Sequence, residues 1–177
     1  GTTPADENAA PGDGFLARLC RDWEAAGRAC GGRSVQLRIG VVFSPDGGAL
    51  RKLVPRLGPL AWLGSGRQAF HWIHVDDLVA LLIAALDDPA WSGPVNAVAP
   101  CPVDLRRVIM AASRVTGRWR LPIGVPGWAL RLVLGELAGM LLDGRPVEPA
   151  VARRRGFTWR HADLESALES CLLPAGG

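Results

Sequence analysis

The chain has 177 residues, a formal net charge of +3, 49% hydrophobic and 21% charged residues, which excludes a disordered or collagen-like chain and fits one globular unit with its own core. It contains no tyrosine, and Lys52 is the one lysine among 20 basic residues, so no phenol stands beside an amine in this sequence. Arginines alternate with acids, which leaves no basic face for nucleic acid.

The chain begins at Gly1 rather than at a methionine, so a segment upstream is expected. Residues 1–14 are rich in Gly, Pro, Asp and Ala and predict an exposed loop. Phe15, Leu19, Trp23 and Ala26 fall on one helical face over 15–29, and Gly31-Gly32 stops that helix. From Val35 to Phe43 the pattern alternates and then turns continuously apolar, which predicts a parallel strand buried on both faces. A short helix is expected over 49–57, a loop over 58–66 and a short strand over 70–75. Asp76 or Asp77 then caps a helix over 78–86 that is apolar nearly all round and is expected to be buried. A strand over 94–99 is followed by helices only: one over 105–115 closed by Gly117, then 128–142, 150–155 and 163–172. Helix and strand alternate up to Pro100, which predicts an α/β fold followed by a small helical lobe.

Few motifs carry chemistry. Gly64-Ser65-Gly66-Arg67-Gln68-Ala69 matches G-x-G-x-x-[GA], yet a strand-like run follows it where a dinucleotide fingerprint needs a helix to open. His71 and His74 sit three apart on a strand and point to opposite faces, which rules out a joint metal site, and no metal is expected. His74 reads as a cap of the following helix rather than a general base, and the Asp pair as helix-start carboxylates. Serines lack a nucleophile-elbow context. Arg153, Arg154 and Arg155, followed by Phe157 and Trp159, read as a solvated helix end. Cys20, Cys30, Cys101 and Cys171 have neither C-x-x-C nor metal spacing, so reduced thiols and a reducing compartment are expected. The longest apolar stretch, 128–142, is too short to span a bilayer, and no membrane partner is expected.

Several segments together resemble one family. They are Asp22-Trp23-Glu24-Ala25-Ala26, Leu37-Arg38-Ile39-Gly40-Val41-Val42-Phe43 with Gly47-Gly48-Ala49, and Leu63 to Gln68 running into Trp72-Ile73-His74-Val75-Asp76-Asp77-Leu78. Gly93 to Pro100 and Leu141-Leu142-Asp143-Gly144-Arg145-Pro146-Val147 complete the set. The pattern resembles the epimerase branch of the atypical extended short-chain dehydrogenases/reductases, with its C-terminal helical extension, and the resemblance is to the C-terminal half alone.

That resemblance implies residues 1–100 as the second half of an NAD(P)-binding Rossmann-like domain and 101–177 as a helical substrate lobe. It implies NADP or NAD as cofactor of the full-length protein, whose phosphate-binding glycine loop is missing from this chain. By the same resemblance Ile39, Gly40, Val41 and Val42 lie against the nicotinamide, although a plain core strand fits each of them equally well. Ser65, Arg67 and Gln68 are the expected substrate contacts. The family's Tyr/Lys proton-transfer pair aligns with Phe15 and Leu19, neither of which carries a proton, so the catalytic residues are unknown. The substrate-gripping arginine of nucleotide-sugar epimerases aligns with Phe70. Two functions follow: an NAD(P)-dependent epimerase, dehydratase or reductase of a small polar substrate, or a non-catalytic dinucleotide-binding regulator related to cell division. The expected location is the cytoplasm, or an organelle lumen if a transit peptide has been shed.

Overall fold

In the computed structural model residues 3–122, 124–126, 132 and 144–173 are described. The elements are α1 (Phe15–Ala29), β1 (Val35–Ile39), β2 (Val41–Phe43), α2 (Ala49–Leu53), β3 (Ala69–Phe70), β4 (Trp72–His74), α3 (Val75–Asp87), β5 (Gly93–Ala97), β6 (Val103–Asp104), α4 (Leu105–Thr116), α5 (Ala150–Arg154) and α6 (Leu164–Leu172). The helix expected over 128–142 lies, Leu132 apart, outside the described residues. No helix among them is long and apolar enough to cross a membrane.

The single strand expected over 35–43 is two. β1 pairs in parallel with β5, Val35 opposite Gly93 and Ile39 opposite Ala97, whereas β2 pairs in parallel with β4, Val41 opposite Trp72 and Phe43 opposite His74. Gly40 sits at the change of partner. Its amide donates to the Ala97 carbonyl at 3.1 Å, and the next amide, of Val41, donates to the His71 carbonyl at 2.7 Å. A Cβ at Gly40 would stand 2.9 Å from that same carbonyl oxygen and 3.1 Å from Val98 Cγ1, so the two strand ends approach this closely only around a glycine. Beyond Pro100 the chain is not purely helical, because Val103–Asp104 forms a short antiparallel ladder with Ala69–Phe70. That two-residue pairing is too brief for side-chain alternation to announce it.

Two cores flank the strands. On one side Phe43 stacks on Trp72, centroids 5.1 Å apart, and both pack with α2, α4 and α6 through Leu50, Ile109 and Leu168. On the other side Ile73 and Val95 pack with Leu81 of α3, Ala152 of α5 and the aromatic pair Phe157–Trp159. Those two aromatics follow the arginine run and are partly buried, while Arg154 and Arg155 are exposed, as expected of a solvated helix end.

Two further expectations are corrected. Residues 3–14 are not simply an exposed loop: Ala5 bridges Val147 in parallel, and the buried Glu7 carboxylate accepts from the amides of Asn96 and Val151, both at 3.1 Å. The short acidic side chain finds two otherwise unpaired donors there, which a compositional reading of a Gly/Pro segment cannot see. Nor is α3 buried all round. Asp77, Leu81 and Ala85 are buried, but Val79, Leu82, Ile83 and Leu86 are exposed, since among the described residues one face of the helix has a packing partner.

Candidate functional site

A cleft of about 900 Å3 runs along β1 from Gln36 to Gly40, between that strand and α1, and reaches Asn96 and Val98 at the carboxyl end of β5, the end at which parallel sheets place their ligands. Ile39 and Gly40 leave β1 into it, Val98 follows β5, and His71 enters from the residue between β3 and β4. The far wall is α1, through Cys20 and Glu24.

His71 has a defined role in this wall. Its neighbours Phe70 and Trp72 pack into the aromatic core, so strand alternation turns the imidazole the other way. One side of the ring is hydrogen-bonded to the Arg145 backbone, while Nε2 is buried without a hydrogen-bond partner. Burial holds its pKa below the ordinary 6.5, with the Arg145 contact opposing that shift. The ring is therefore neutral at pH 7.

Glu24, on the α1 wall, is already engaged. Arg38 makes a two-pronged contact with Glu24, Nε to Oε1 at 2.7 Å and Nη2 to Oε2 at 2.9 Å, and Nη1 donates to the Glu7 carbonyl. Hydrogen bonding to Arg38 holds the Glu24 carboxyl below its usual value, and Glu24 in turn raises Arg38.

The predicted residues divide. Ile39 and Gly40 line the cleft; Ile39 is 52% exposed. Val41 packs against the Phe43 core and Val42 against the Ile73 core, and neither lines the cleft. Arg67 lines a second, polar cleft of about 350 Å3 with Asp104 and Arg107. Ser65 turns inward on its own loop, its Oγ accepting from the Arg67 amide at 3.2 Å. Gln68 is buried and donates to the Leu63 carbonyl at 2.9 Å. Ser65, Arg67 and Gln68 are thus not gathered into one surface. The two clefts are neighbours: Ala69, Gly144 and Pro146 line the second, His71 and Val147 the first. Phe15 and Leu19 do not line the main cleft, and Phe15 is 70% exposed. As expected, the Gly64–Gly66 turn leads into β3 and no helix opens at it.

His74 caps α3 as expected, Nδ1 accepting from the Asp76 amide at 3.1 Å, and its Nε2 meets Ser170 Oγ of α6 at 3.1 Å. Burial and the adjacent His161 hold its pKa below the ordinary value. Asp77 does more than begin a helix: its two oxygens accept from the amides of Arg160 and His161 at 2.7 and 3.0 Å, fastening the segment before α6 to α3. His71 and His161 are the residues that sequence reasoning missed. Alternation marked the side that His71 faces, but nothing in the sequence marked the approach of His161, 87 positions after His74.

Residues 125–171 match a domain of unknown function, DUF1731. The chain is 40% identical over 173 residues to an Arabidopsis thaliana protein named "Epimerase family protein SDR39U1 homolog, chloroplastic", covering 94% of this chain and 49% of that protein. It is 42% identical to the Mycobacterium bovis "Epimerase family protein Mb2239", covering 92% of this chain and 56% of that protein. Among solved structures, the human epimerase family protein SDR39U1 (isoform 2) with NADPH superposes with a TM-score of 0.85 at 34% identity, over 96% of this chain and 59% of that one. The chain thus spans about half the length of the curated relatives it matches.

Proposed function

We propose that this chain, which belongs to the epimerase family of atypical short-chain dehydrogenases/reductases and matches the C-terminal part of its members, forms the nicotinamide-facing and substrate-facing half of an NAD(P)-dependent epimerase, dehydratase or reductase acting on a small polar molecule. The observation that carries this reading is the cleft along β1 that reaches the carboxyl end of β5, with an apolar floor of Ile39, Gly40 and Val98 and His71 in its wall. A flat nicotinamide ring suits an apolar floor of that kind. The described residues fit the nicotinamide end of the cofactor; the glycine loop that would hold its pyrophosphate is not among them.

NAD(P), when bound, supplies hydride transfer. This chain's share is to exclude water with Ile39 and Val98 and to hold the cleft wall at His71, whose carbonyl approaches β1 only because residue 40 is glycine. A second reading, a dinucleotide-binding regulator without turnover, draws support from Phe15 and Leu19, which offer no proton where the family's Tyr/Lys pair aligns.

The test is NADPH titration of the full-length protein, followed by nicotinamide fluorescence, for wild type and Ile39→Asp. A charge against the ring is expected to weaken binding at least about tenfold, the cost of burying an ill-paired carboxylate, and thermal unfolding without NADPH checks that both proteins are folded. Equal affinity in the two proteins would refute the placement. Bound NADPH that no small carbonyl or nucleotide-sugar substrate oxidises would favour the regulator.

A further inference from the structure

Away from the cleft, metal-ligating groups from distant parts of the chain meet in one place. His74 ends β4, Asp76 stands in the first turn of α3, and His161 precedes α6. The two imidazoles stack with centroids 3.7 Å apart and planes 28° apart. Asp76 Oδ2 lies 3.7 Å from His74 Nδ1 and 3.5 Å from His161 Nε2, and the three ligand atoms all fall within 4.8 Å of one another. Bonds of about 2.0–2.1 Å around a tetrahedral ion put neighbouring ligand atoms about 3.3 Å apart, and the ion lies in the plane of each imidazole it binds, so binding swings the His161 ring out of the stack on His74 and turns the half-exposed Asp76 carboxylate towards it. The backbone at His161 is already fixed by Asp77.

A second observation points to an occupant. His161 Nε2 is buried with no hydrogen-bond partner, although the side chain is only 15% exposed. A buried polar atom that makes no hydrogen bond, although the Asp76 carboxylate lies 3.5 Å away, carries a desolvation cost, and an ion accepting its lone pair lowers that cost.

We propose that His74, Asp76 and His161 bind one divalent transition ion of the Zn(II) or Co(II) class, with a water completing the coordination on the exposed Asp76 side. Two imidazoles and one carboxylate suit these ions and not Ca(II) or Mg(II), which take oxygen ligands. Binding replaces the hydrogen bond from the Asp76 amide to His74 Nδ1 and moves aside the Arg160 guanidinium, now 3.9 Å from Asp76 Oδ2 and largely solvent-exposed. The ion ties the start of α3 to the segment that leads into α6.

The experiment titrates Zn(II), then Co(II) with its visible ligand-field bands, into the purified full-length protein. Its thiols are alkylated first, because Cys20, Cys30 and Cys101 are exposed and would compete. Wild type, His161→Phe, which keeps the ring stack on His74, and Asp76→Asn, at a half-exposed position, are compared. Expected is one equivalent bound by wild type, tetrahedral Co(II) absorption, a raised unfolding temperature with Zn(II), and affinity at least about tenfold weaker in both variants. No binding by wild type, or binding that either folded variant retains in full, overturns the site. Should His161→Phe fail to fold, Asp76→Asn decides the outcome.

Discussion

His71 carries the most testable chemistry of any one residue. Its pKa in the folded protein lies below the ordinary 6.5 because burial disfavours the cation. The unfolded chain therefore takes up the proton more readily, and the stability linked to this group is full above about pH 6.5 and is lost as pH falls through the lower folded value. Urea midpoints measured between about pH 7.5 and 5 are expected to drop for wild type and to drop less for His71→Gln; equal slopes would place the ring in water. Glu24 acts in the same direction but in a lower window, since its depressed pKa confines the loss to pH below 4.5.

Between elements, apolar periodicity and actual burial part company. Phe15, Trp23 and their neighbours define an apolar face of α1 by spacing, yet no residue of α1 is buried and Trp23 is 68% exposed. Phe43, on a strand of three residues with little pattern of its own, is fully buried between Trp72 and Phe70. Truncation is expected to reverse the ranking that size and hydrophobicity alone imply. Phe43→Ala is expected to cost about 3–5 kcal/mol and Trp23→Ala within about 0.5 kcal/mol, measured by urea unfolding of the 177-residue chain at concentrations low enough to keep it monomeric. Helix ends were more legible, because caps are local chemistry. Gly117 closes α4 with φ 64°, as expected, and Asp104 and Asp163, which accept from the amides three residues on, begin the helices expected over 105–115 and 163–172. Arg33 shows the limit of that reading: its guanidinium donates to the carbonyls of Ala85, Leu86 and Trp91, finishing α3 from more than 50 positions away.

Across the whole molecule, β1 is hydrogen-bonded on one side to β5 and has no partner on the other among the described residues, beside the uncovered face of α1. An open strand edge next to exposed Phe15, Leu16 and Trp23 invites association. By itself the 177-residue chain is expected to run larger than monomer in light scattering, and Trp23→Glu to shift it towards monomer; a monodisperse wild-type monomer would show the edge to be protected. The sequence by itself determined the α/β class, the helix ends and the family resemblance, because periodicity, caps and motif order depend on neighbours a few residues away. It also determined the absence of a Tyr/Lys pair, which is a matter of composition. Only the tertiary structure decided that the strand breaks at Gly40, that Ile39 and Gly40 share a cleft with His71 while Val41 and Val42 enter the cores, and that His161 stacks on His74. Each of those outcomes depends on backbone approach between segments far apart in the chain, and no local pattern records it.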